Sequence, residues 1–178
     1  MTRALALACL LPAALWMAAV PARADDAMTV AANAFYAATA KASASGGIPD
    51  AATRVRLQPL LSSGLNAMLA DAAAAEARFN AKNKNSPPLI EGDIFSSLFE
   101  GPTAVKVGVC RGDDKIAHCG ATLTHQDRGQ KPVTWVDTLR LVNEGGWKID
   151  DVAYDANFAF GNTGTLSDML KMTVHEAP

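Results

Sequence analysis

Apolar residues recur at three- and four-residue intervals through the first half of this chain and at every second residue through much of the second half. The first pattern belongs to helices and the second to half-buried strands. From Asp25, Met28, Ala32, Phe35 and Thr39 follow helical spacing behind an Asp25-Asp26 pair able to cap them. "SGGIPD" interrupts the pattern, and Asp50 caps a second helix whose apolar positions are Val55, Leu57, Leu60 and Leu61. Pro59 has no N–H and crowds the preceding turn, so this helix should kink or restart, with "SSG" as the new start. Leu65, Met68, Leu69, Ala72, Ala75 and Phe79 then form the stripe of a long alanine-rich helix. Glu76 falls inside that stripe, and its long side chain should reach out to water. "KNKNSPP" is a polar connector.

The period then changes. "GDIFSSLFEG" reads as a short amphipathic turn, with Ile94, Phe95, Leu98 and Phe99 as an apolar plug. "TAVKVGVC" alternates and places Val105, Val107 and Val109 on one face. "RGDD" turns the chain into "KIAHCGATLTHQ", and "DRGQKP" turns it into "VTWVDTLRLVNE", the clearest strand. There, Val133, Trp135, Asp137, Leu139 and Leu141 share one face. Gly145-Gly146 makes a hairpin turn into "WKIDDVAY", and "TLSDMLKMT" closes the chain as a short helix capped by Thr165. The order predicts an α+β fold: N-terminal helices packed on a curved antiparallel sheet of about four strands, with a short C-terminal helix.

Composition adds a compartment. Arg3, a charge-free apolar run over residues 4–20 and "ARA" at Ala22 to Ala24 together read as a secretory signal peptide over residues 1–24. The mature chain, 25–178, is expected to be one cone-like α+β domain in the periplasm or secreted. Cleavage removes Arg3 and Arg23, so the formal charge moves from −2 to −4, which leaves no electrostatic footprint for nucleic acid. No second long apolar run remains to span a membrane. Cleavage also removes Cys9, leaving Cys110 and Cys119. An even number in an exported chain, placed on either side of one hairpin turn, predicts a disulfide between them.

The segments "FYAATA", "LQPLLSSGLNAML", "GDIFSSLFEG" and "VTWVDTLRLVNEGGWKIDDVAYD" resemble a family of exported bacterial proteins of unknown function. Their fold is similar to the nuclear transport factor 2-like cone, also described as SnoaL-like or cystatin-like. The resemblance implies a curved sheet wrapped on helices. It fixes no reaction, because that fold carries isomerases, dehydratases and non-catalytic binding modules alike.

Asp137 is the residue with the most chemical promise. It interrupts an apolar face between Trp135 and Leu139, so it must find partners, stay protonated or line a pocket with Trp135. As a pocket residue it is the candidate general base, with Tyr154 or His125 as helper. Asp150 and Asp151 are adjacent on a strand and point to opposite faces, so they do not form a facing acid and base. Asp151 would share the side of Trp147 under regular pairing, which calls for a bulge or strand end near it. His118 and Cys119 also point to opposite faces, and no metal site is expected. "RGD" at Arg111 to Asp113 is explained by turn chemistry. No serine elbow, metalloprotease, phosphate-loop or dinucleotide motif is present, so no cofactor is expected. Three readings follow: a non-catalytic exported module binding a small apolar ligand or a protein; a small cone-fold isomerase or hydrolase using Asp137; and a periplasmic inhibitor or immunity-type protein.

Overall fold

The computed structural model describes residues 24–40 and 46–177. The expected signal peptide, Cys9 included, lies outside the described residues except for Ala24. Helix α1 spans Ala24–Thr39, α2 Ala51–Leu57, α3 Ser63–Lys82 and α4 Leu166–Glu176. Strands β1 (Ala104–Gly112), β2 (Ile116–His125), β3 (Val133–Asn143), β4 (Trp147–Tyr154) and β5 (Gly164–Thr165) form an antiparallel sheet in chain order. The architecture is therefore α+β. β5 is a two-residue strand that carries too little sequence to show an alternation.

The helix starts follow from local chemistry. The Asp50 carboxylate accepts from the Thr53 N–H at 2.7 Å, and the Ser62 hydroxyl accepts from the Leu65 N–H at 3.0 Å. Between them, Pro59 sits in a 3-10 turn over Gln58–Leu60, so the chain stops and restarts rather than kinking through. The Thr165 hydroxyl accepts from the Asp168 N–H and opens α4.

Two strand bulges bend the sheet around its contents. In β1 the register shifts between Val107 and Cys110. The extra residue turns Val109 out to 70 % exposure and brings Cys110 in, opposite Cys119. Val109 thus leaves the face it would share with Val105 and Val107 under strict alternation. Cys110 and Cys119 are disulfide-bonded, with Cα atoms 4.1 Å apart. In β4, Ile149 pairs with Leu141 and Asp151 with Arg140, so Asp150 is the additional residue. This is the irregularity that the parity of Asp151 demands.

The inner face of the sheet is filled. Ala121, Leu123, Leu139, Leu141, Ile149 and Val152 are fully buried. Helix α1 lies against this face and seals it with Met28, Ala32, Phe35 and Tyr36. Helix α3 packs on α4, and α4 on β4. The β3–β4 hairpin grips the start of α3: Glu144 accepts from both the N–H and the hydroxyl of Ser63, each at 2.9 Å. The outer face carries Arg111, His118 and Arg140 in one cross-strand row, with Arg140 paired to Asp150. No described helix is long and apolar enough to cross a membrane.

Candidate functional site

Asp137 points inward from β3 and is 0 % exposed. Its two oxygens take four donors. Oδ2 accepts from the Ser97 N–H at 2.7 Å and from the Trp135 indole N–H at 3.0 Å. Oδ1 accepts from the Ser97 hydroxyl and from the Asp155 N–H at 3.3 Å. Three of these four groups come from two irregular segments, 90–101 and the chain after β4, so the carboxylate works as a clasp. It fastens the 90–101 segment and the chain leaving β4 to the middle of β3. A carboxylate taken out of water needs such donors to replace the hydrogen bonds it loses. The same saturation leaves few lone-pair directions for a substrate proton.

The surrounding groups extend the clasp. The Ser97 hydroxyl also accepts from the Ala156 N–H at 3.2 Å, and the Asn162 side chain donates to the carbonyls of Asp93 and Ser96, each at 2.7 Å. The Tyr154 hydroxyl donates to the Ile94 carbonyl at 2.6 Å. Phe158 stands edge-on to Trp135 with ring centroids 5.5 Å apart. Gly101 ends the segment at φ 73°, and a Cβ there would collide with the Asp93 carboxylate, so only glycine closes this turn.

Burial, followed by the nearby carboxylates of Asp93, Asp151 and Asp137, pushes the Tyr154 phenol well up, so it stays a donor. Tyr36 is pushed up for the same reason, with burial first and then Asp137 and Asp93. Its hydroxyl is the one buried side-chain polar atom among the described residues that lacks a hydrogen-bond partner.

The sequence candidates are not gathered into one site. His125 sits at the far end of β2, where Nδ1 donates to the Gly101 carbonyl at 2.6 Å and Nε2 meets Asp127 at 3.3 Å. These contacts, Gly101 first, raise its pKa above the ordinary value. Tyr154, Asp137 and His125 each bond to other groups and not to one another. Trp135 is spent on Asp137 and Phe158. Cys110 and Cys119 are bonded together, with His118 on the opposite, exposed face. Asp150 faces Arg140, whereas Asp151 accepts from the Ser167 N–H at 2.9 Å at the start of α4. Adjacent acids in "WKIDDVAY" therefore serve two different structural contacts.

Open concave space lies elsewhere. A cleft of about 280 Å³ runs beside α4, walled by Leu89, Ile90, Met169, Met172 and the 161–163 loop, with Asp168 and Glu176 at its lips. A second, of about 310 Å³, lies across Ile90 and is lined by Gly46, Gly47, Glu76, Glu91 and Phe99. Glu76 is half-buried in its wall rather than fully out in water, and this desolvation raises its pKa. The apolar rim is wet: Phe160, next in the chain to Gly161 of the first cleft, is 90 % exposed, Met172 59 % and Phe99 41 %. Sequence reasoning missed this rim because Phe160 lies in a loop with no periodicity. Phe99, read as part of a plug, faces out.

Comparison with protein-family models, with curated proteins and with solved structures gives no match.

Proposed function

We propose that this protein is an exported, non-catalytic binding module of cone-like architecture that engages a protein partner on its surface beside α4. One observation carries the reading. The inner face of the sheet around Asp137 is filled, Asp137 is saturated there, and Met172 and Phe160 stand in solvent in or beside the α4 cleft instead. Exposed aromatic and methionine side chains around a concavity are the usual anchors of a protein interface. The cleft's volume lies at or below the roughly 300–1,000 Å³ of small-molecule pockets, which favours a partner's side chain over a buried small ligand. Export is supported by the signal-like N-terminus and by a disulfide, which persists in oxidising compartments.

The test is photocrosslinking in the native host from a benzoylphenylalanine placed at position 160. A discrete, saturable protein adduct is expected there and not from position 136, where Val136 is exposed on the outer sheet face. No adduct from position 160, or equal adducts from both, would defeat the reading.

A further inference from the structure

We infer that the cleft on α4 receives an extended protein segment in which one apolar side chain lies between two basic ones. This rests on the binding reading above and names the partner's chemistry.

Asp168, Met172 and Glu176 follow one another at four-residue spacing along α4, and all three are exposed and line the cleft. At about 1.5 Å rise per residue, successive members of this row stand about 6 Å apart along the helix. Same-side residues of an extended strand are two apart and stand about 6.5–7 Å apart. A segment of the pattern basic–x–apolar–x–basic therefore matches the row. Its apolar side chain meets Met172 and Leu89 above Ile90, and its flanking cations meet Asp168 and Glu176.

Among the described residues, the cleft lining holds acids and no lysine, arginine or histidine, and the charged residues lining the adjoining cleft are Glu76 and Glu91. Lys171 lines a different groove, with Met68 and Asp71 of α3. Helix stability accounts for only half of the row. Asp168 suits the first turn of α4, whereas Glu176 occupies the last turn, where a negative charge opposes the helix dipole. A purely apolar ligand would leave both carboxylates unused, and an anionic lipid surface would be repelled by them.

Three synthetic nonapeptides test this by amide chemical-shift titration of the protein. They share a central leucine and differ only in the two flanking residues: lysines, serines or glutamates. The lysine peptide is expected to shift Leu89, Asp168, Met172 and Glu176, and its affinity should fall as salt rises. Glu176→Gln should weaken that peptide about two- to fivefold, the range of one exposed ion pair, and leave the serine peptide unchanged. Equal binding of all three peptides at the cleft would overturn the partner chemistry and leave the binding reading standing. No shift at the cleft with any peptide, or shifts confined to Arg111, His118 and Arg140, would overturn the proposal; crosslinking from position 160 then decides the binding reading on its own.

Discussion

A single carboxylate shows how far strand parity reaches. Alternation through "VTWVDTLRL" puts Asp137 on the inner face, and there it is, fully buried. Its partners were not legible. Ser97 lies 40 residues earlier in a segment without period, and a loop's backbone donors leave no mark on composition. The clasp makes a prediction about stability. Asp137→Asn removes an acceptor and turns an NH₂ group toward donors, which should cost about 1–3 kcal/mol in chemical denaturation. A variant within about 0.5 kcal/mol of the parent would show that the four contacts contribute nothing net. His125 supplies the pH dependence. Its folded pKa is raised, so the stability it adds is complete below the ordinary histidine value and is lost as pH rises through the folded value. Melting temperature should therefore fall from about pH 6 to pH 8 more in the parent than in His125→Gln. Identical slopes would assign the fall to other groups.

At the scale of elements, helices were readable because caps and breakers are local. Asp50, Ser62, Pro59 and Thr165 each act within a few residues of themselves. Strand irregularities were readable only where a parity conflict exposed them. Asp151 created such a conflict and its bulge was foreseen; Val109 created none, because a valine suits either face, and its outward turn was not. The consequence is the Cys110–Cys119 pairing, which strict alternation from Val105 would have turned outward at Cys110. The bond crosses β1 and β2 beside the bulge and fixes their register. Replacing both cysteines with alanine should cost roughly 2–3 kcal/mol, the loop-closure entropy of a short ring. Denaturation with and without reductant measures it, and intact mass confirms the bridge through a gain of about two hydrogens on reduction. Equal stability of the oxidised and reduced forms would mean that the bulge alone holds the register.

For the whole molecule, the order of periods fixed the class: helices, then a meander, then a closing helix gave α+β before any contact was known. Whether the curved sheet encloses a pocket was not legible. It depends on how closely Met28, Phe35 and Tyr36 of α1 seat against β1 and β4, which no local pattern encodes. These side chains are buried, and the account stands on that: an interior closed around Asp137, with recognition proposed at the surface beside α4. Native-state hydrogen exchange of the Ser97 amide, which points at Asp137 from inside the core, tests it most directly. The account predicts exchange only through global unfolding, with an opening free energy equal to that from chemical denaturation. Exchange through a local opening several kcal/mol cheaper than global unfolding would show that the interior admits solvent around Asp137, and would contradict it.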